Sequence, residues 1–142
     1  MHHEVSIEIA ASPELIWSTL SDVERWPEWT ASVSAVERLD AGEFGVGSRA
    51  RVKQPGMPSL VWEVTDYAPG EAFNWTSKAP GVTTTGGHRL APARDGRVPV
   101  TVSLDQQGFL APVVSRLTGS RSRRYVQMEA DGLKRRSEAG GA

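Results

Sequence analysis

The chain opens with strict alternation of apolar and polar residues. In "EVSIEIA", Val5, Ile7 and Ile9 fall on one side and Glu4, Ser6 and Glu8 on the other, the period of two that marks a half-buried strand. The period then lengthens. "ASPELIWSTL" offers Ser12 as an N-cap, Pro13 at the first helical position and Ile16 with Leu20 as the buried stripe, which predicts a short helix. Ser21 and Glu24 have the spacing of a capping box for a second short helix, one that Pro27 stops within about a turn.

From residue 32 the pattern returns to strands punctuated by glycine and proline. Strands are predicted at 32–39, 48–54, 59–67, 71–78, 82–91 and 98–107, divided by turn chemistry at "DAGEFGVG", "QPGMP", "APGE", "KAPG" and "ARDGR". Connections this short make neighbours antiparallel. The stretch from Phe109 to Glu138 reads as one long helix. Its apolar positions Leu110, Val113, Val114, Leu117, Tyr125 and Met128 recur near period 3.6, Gly119 softens it and "AGGA" ends it. Strand, two short helices, six strands and a long helix make an α+β chain, in which a curved antiparallel sheet of about seven strands buries its inner face against the terminal helix. Repeats, low-complexity tracts and linkers are absent, so residues 1–142 are expected to form a single domain with some room for a ligand cavity.

Charge and composition narrow the function. The formal net charge is -1 and the sequence pI is near 6.3, a balance that argues against nucleic acid or another polyanion as partner. There is no cysteine, which removes disulfides, thiolate nucleophiles and zinc-thiolate sites and fits a reducing compartment. The opening residues lack a basic segment followed by an apolar run, and nothing later reaches the roughly 18 apolar residues of a membrane span. A cytoplasmic protein is the expectation.

The element order, together with "ASPELIWSTLSDVERWPEW" near the start, resembles the polyketide cyclase/dehydrase branch of the START-like superfamily, whose architecture is the helix-grip (SRPBCC) fold. The likeness extends through "GSRARVKQPG", "VWEV" followed by "PGEAFNW", "HRL" ahead of "DGRVPVTVSL", "GFLAP" entering the last helix and "GLKRRSE" closing it. These motifs are architectural. The resemblance implies a deep, mostly apolar cavity between sheet and long helix, in a family whose members include lipid carriers, hormone receptors and aromatic cyclases; fold alone does not choose among them.

Strand parity sorts the residues that face such a cavity. Leu60, Trp62 and Val64 share a face in one strand, Phe73 and Trp75 in the next, and Val98, Val100, Val102 and Leu104 in the last. Arg49, Arg51 and Lys53 alternate with Ala50 and Val52 and point to solvent. Of the five tryptophans, Trp17, Trp26 and Trp29 fall in the helical corner, where the resemblance places Trp29 nearest the cavity rim; Trp62 and Trp75 are the candidates for stacking on a planar ligand. On the long helix, Arg121 and Tyr125 lie on the line through Leu117 and Met128 and would bring a guanidinium and a hydroxyl over the cavity. The remaining basic residues of that helix read as a solvated face; a membrane-surface role is diluted by Glu129 and Asp131.

His88 is the only histidine away from the start, since His2 and His3 sit in a leader expected to fray. In a regular strand it shares the inner face with Val82, Thr84 and Leu90. The preceding Gly86–Gly87 pair could instead bulge and turn Arg89 inward; the regular register is favoured because Leu90 would otherwise lose its apolar side. A lone buried histidine more often hydrogen-bonds a neighbour than catalyses, and no carboxylate partner stands near it in the sequence. No Gly-x-Ser-x-Gly elbow, metal-ligand spacing or cofactor motif is present, so neither a cofactor nor a metal is expected. The expected ligand-binding set is therefore Trp29, Trp62, Val64, Phe73, Trp75, His88, Val100, Val102, Leu117, Arg121 and Tyr125, with His88 and Tyr125 as the only candidates for moving a proton.

Three functions fit this reading. The first is binding or transport of a hydrophobic, aromatic and oxygenated small molecule in the cavity. The second is a cyclase/dehydrase-type enzyme that folds a poly-β-ketone in the same space. The third is a protein-interaction module with a filled core. Ligand, oligomeric state and pathway stay open.

Overall fold

The computed structural model describes residues 1–140. The opening alternation forms strand β1, His2–Ile9, which pairs with Val98–Gln107 near the end of the chain, joining His2 to Asp105 and Ile9 to Val98. The leader is thus an ordered edge strand rather than a frayed end, and Arg123 Nε donates to His3 Nδ1 at 3.3 Å. Burial, and then the Arg123 charge, hold the His3 imidazole below its ordinary pKa. Helix α1, Pro13–Ser21, is capped by the Ser12 hydroxyl, which accepts from Leu15 N at 3.1 Å.

The capping box at Ser21 and Glu24 does not form. The second short helix is a 3₁₀ segment, Val23–Glu28, without a side-chain cap. Ser21 turns back to donate to Trp17 O, and the Glu24 carboxylate accepts from Arg38 N instead. With Pro27 inside so short a stretch, the tighter i to i+3 pattern replaces an α-helical turn.

The remaining strands are β2 Ala35–Arg38, β3 Arg49–Lys53, β4 Leu60–Ala68, β5 Ala72–Ala79, β6 Val82–Leu90 and β7 Val98–Gln107. They form one antiparallel seven-stranded sheet in the order β1-β7-β6-β5-β4-β3-β2. A register shift between Val64 and Asp66 adds a residue to β4 and helps the sheet curve. Helix α2, Ala111–Glu138, runs through Gly119 without interruption and crosses the concave face, packing chiefly on β1 and β7. This is the curved antiparallel sheet and long terminal helix that the helix-grip resemblance implies. "AGGA" begins after the helix ends; its last two residues lie outside the described residues.

The apolar stripe expected on α2 is displaced by one position in its first half. Leu110, Val113 and Leu117 are exposed, whereas Ala111, Val114, Thr118 and Ser122 face the sheet, continued by Tyr125, Val126, Glu129, Ala130, Leu133 and Ser137. Small and polar side chains sit where hydrophobicity alone would place the large apolar ones. Toward the C-terminal half, Gly132 lets α2 touch the backbone at Trp29, whose carbonyl occupies the space that a Cβ would need.

Candidate functional site

The inner face of the sheet is sealed at one end and hollow at the other. Ile9, Val64, Phe73, Val98, Val100 and Val102 are at most 1% exposed and share a core cluster with Ile16, Leu20 and Leu133. Further along the same strands, Trp75, Gly86 and Leu104 make one row across the sheet, and Ser77, Thr84 and Gln106 make the next. All six line the space beneath the helix. The space left between sheet and α2 is a cavity of about 300 Å³.

Gly86 lets the Trp75 indole lie close against the strand at the cavity wall. A Cβ at this position would stand 3.1 Å from Trp75 Nε1 and 3.8 Å from Trp62 Cζ3. The two indoles, with ring centroids 5.8 Å apart, therefore make with Gly86 one apolar wall of the cavity. A flat molecule can lie against such a surface with aromatic contact at its edge or face. Trp26, from the 3₁₀ segment, adds a third indole to the lining and fixes its own ring by donating from Nε1 to Leu20 O at 2.9 Å.

His88 lies on the inner wall of the cavity. The ladder is regular through the glycine pair, with Gly86 opposite Trp75 and Leu104, Gly87 opposite Asn74 and Ser103, and His88 opposite Phe73 and Val102. No bulge intervenes, so His88 points inward at 3% exposure while Arg89 points out. Its ring stacks on Phe73 at 4.3 Å between centroids and meets the Trp26 ring at 5.4 Å.

Both imidazole nitrogens are engaged. Nδ1–H donates to Phe73 O at 3.2 Å, and Nε2 lies 2.8 Å from Glu129 Oε1. Because a carbonyl oxygen only accepts, the first contact assigns one proton to Nδ1. The second contact then requires another proton between Nε2 and the carboxyl oxygen, since two lone pairs at that separation would repel. The pair therefore stores one transferable proton in a largely desolvated place. Glu129 comes from α2, 41 residues beyond His88, which is why no local sequence pattern shows the partner.

The residues expected to form the site divide into groups. Trp62, Trp75, His88 and Tyr125 do line the cavity. Val64, Phe73, Val100 and Val102 sit behind it in the sealed core, with Phe73 serving as the surface on which His88 stacks. Trp29 does not reach the rim; it is buried where α2 meets the 3₁₀ segment and borders separate surface clefts. Leu117 is 76% exposed and faces solvent. Arg121 and Tyr125 reach to the β3–β4 turn, with Nη1 donating to Gly56 O and the phenol to Pro55 O, each at 2.6 Å. Tyr125 thus lines the cavity while its hydroxyl proton latches the neighbouring turn.

Sequence reasoning missed Glu129, Ser122, Thr118, Ser77 and Gln106. The signal for the helix residues was present, since Val114, Thr118, Ser122, Tyr125 and Glu129 recur at helical spacing, but hydrophobicity hid it. Ser77 and Ser122 add hydroxyls to the lining, and among the described residues Gln106 Oε1 is buried without a hydrogen-bond partner. The cavity is therefore apolar in most of its surface with a few polar groups facing in, the usual chemistry of a small-molecule pocket.

Among the described residues no three His, Asp or Glu side chains converge on a metal-sized site, and no helix is long and apolar enough to cross a membrane. The same fold occurs in a protein from Thermus thermophilus, with TM-score 0.78, 16% identity and full coverage of both chains. A START superfamily protein from Mycobacterium smegmatis matches with TM-score 0.73 and 21% identity over 97% of each chain. The Zhui aromatase/cyclase from Streptomyces sp. R1128 matches with TM-score 0.71 and 18% identity, over 100% of this chain and 98% of that one. Identities this low speak for the fold alone. Comparison with curated proteins finds no match. The family follows from the sequence itself: residues 1–138 match the family described as polyketide cyclase/dehydrase and lipid transport, and the chain belongs to it.

Proposed function

We propose that the protein binds a flat, hydrophobic small molecule carrying oxygen substituents, held in the cavity between the sheet and α2. The observation that carries this reading is the cavity wall made by Trp62, Trp75 and Gly86, with the His88–Glu129 pair in the same cavity. The indoles supply area and shape, and the inward hydroxyls and carboxyl supply orientation. A filled-core interaction module is disfavoured by a cavity of about 300 Å³.

The test is a thermal-shift and tryptophan-emission titration against fatty acids, sterols, flavonoids and polycyclic aromatic polyketides. Saturable stabilisation by the oxygenated aromatic compounds is expected, with weaker response to saturated chains. A flat response to every class, or a preference for plain fatty acids, contradicts the reading.

One observation favours a second reading, the cyclase/dehydrase-type enzyme. The His88–Glu129 pair can accept a proton from a carbon between two carbonyls and return one to the oxygen that becomes a hydroxyl on ring closure. Tyr125 is poorly placed for that task, because its phenol donates to Pro55 O. Cyclisation of a poly-β-ketone that persists unchanged in a His88→Ala, Glu129→Gln double variant would exclude the pair as its acid and base.

A further inference from the structure

Four large apolar side chains near the start of α2 are exposed, although Leu110 also leans on Gly81 of the β5–β6 hairpin. Phe109 is 82% exposed, Leu117 76%, Val113 54% and Leu110 38%. They adjoin the cavity wall, since Val114 and Thr118, the next positions after Val113 and Leu117, are lining residues, as is Val82 beside the Gly81 that Leu110 covers. Leu110 also ties this patch to the β5–β6 hairpin by donating its N–H to Gly81 O at 2.8 Å.

The charge around the patch has one sign. From Ala111 to Met128, α2 carries Arg116, Arg121, Arg123 and Arg124 and no carboxylate. Arg116, Arg123 and Arg124 are exposed, as is Lys78 on the adjoining hairpin. On the strand leading into the helix, Asp105 accepts from Gln107 Nε2 at 2.8 Å and stands 3.7 Å from His2. The acids that appear in the sequence to dilute this basic segment do not face the patch as free charges. Glu129 turns inward to His88, and Asp131 lies about 21 Å along the helix from Leu117 at the rise of an α-helix.

Exposed apolar side chains rimmed by cations suit a partner that is apolar within and negative at its surface. We propose that this end of the molecule docks on an anionic lipid surface. Phe109, Leu110, Val113 and Leu117 enter the headgroup region, Arg116, Arg124 and Lys78 meet the phosphates, and the cavity mouth opens toward the bilayer. Docking would let a water-insoluble ligand pass between membrane and cavity without crossing solvent. It requires no particular ligand, so it stands apart from the cavity reading.

Co-sedimentation with phosphatidylcholine vesicles, with and without phosphatidylglycerol, tests the proposal. Binding is expected only when phosphatidylglycerol is present, and to weaken several-fold at high salt. Phe109→Ser with Leu117→Ser should reduce partitioning at least about tenfold, and Arg116→Ser or Arg124→Ser roughly fivefold each. All four positions lie on the surface, so unchanged far-ultraviolet circular dichroism and unchanged cavity titration would show that only docking is lost. Failure to bind the anionic vesicles, or equal binding by wild type and variants, overturns the proposal. So does a concentration-dependent dimer that the Phe109→Ser, Leu117→Ser variant dissolves, because the patch would then serve a second copy of the chain.

Discussion

The chemistry of the cavity converges on one pair of side chains. His88 is held by Phe73 O on one nitrogen and by Glu129 on the other, at 3.2 and 2.8 Å. Replacing Glu129 by leucine leaves a buried nitrogen without a partner and should lower stability by about 2–3 kcal/mol in urea unfolding. Glu129→Gln retains an acceptor and should cost less, about 1 kcal/mol. The His88→Phe, Glu129→Leu double variant should recover part of the loss, because an apolar pair of similar volume often replaces a buried ion pair without penalty; strict additivity in the double-mutant cycle would show that the two do not act together. Tyr125→Phe removes only the latch to Pro55. Its stability should change by less than about 1 kcal/mol, while ligand dissociation, followed by stopped-flow tryptophan emission, should quicken several-fold. An unchanged rate would mean that the turn does not gate the cavity. The inward direction of His88 was legible from strand parity, with Leu90 deciding the register. Its partner was not, since it comes from a different element and no local spacing encodes that distance.

Two close approaches set the geometry of the elements. Gly86 lets the Trp75 indole lie against β6, and Gly132 lets α2 lie on the backbone at Trp29. Gly132→Ala should cost at least about 2–3 kcal/mol, because the obstructing atom is a main-chain carbonyl that cannot swing aside; a melting temperature within a degree or two of wild type would contradict the described approach. The strands were legible because alternation needs only two residue classes, and β4 to β7 fall within a residue or so of their predicted limits. The helix was legible in existence and length but not in orientation. Its buried face over the cavity is built from Thr118, Ser122 and Glu129, whereas Leu110, Val113 and Leu117 face outward. A pattern argument assumes that large apolar residues seek the core. It errs where a helix covers a cavity with small polar side chains and keeps large apolar ones on its outer surface. Trp29 was misplaced for a related reason, since nothing in the sequence distinguishes an indole that lines a cavity from one that closes a helix contact.

At the scale of the molecule, α2 packs on the β1–β7 side of the sheet and is tied to the other elements by side chains. Its C-terminal turn is fastened to the 3₁₀ segment by Arg136, whose Nη2 donates to Glu28 Oε1 at 2.8 Å, while Arg25 meets the same carboxylate at 3.0 and 3.1 Å. Hydrogen bonds and charge from Arg25, and then from Arg136, pull the Glu28 pKa from 4.5 down to about 2. A carboxylate depressed on folding stabilises the folded form above its unfolded pKa and loses that contribution as pH falls toward the folded one. Stability should therefore decline between pH 4.5 and about 2, with a shallower decline in Glu28→Gln; identical acid-unfolding curves would remove Glu28 from the account. The central claim is that the cavity wall made by Trp62, Trp75 and Gly86 is a binding slot for a flat ligand, and a tryptophan-quenching titration of wild type beside Gly86→Ala tests it most directly. With the best compound of the aromatic panel, wild type should show one saturable site, and the methyl group, which at 3.1 Å from Trp75 Nε1 must push that ring into the cavity, should weaken binding at least about tenfold with the fold intact. Equal affinity in the two proteins would mean that the ligand lies elsewhere and that the slot is only a packing defect.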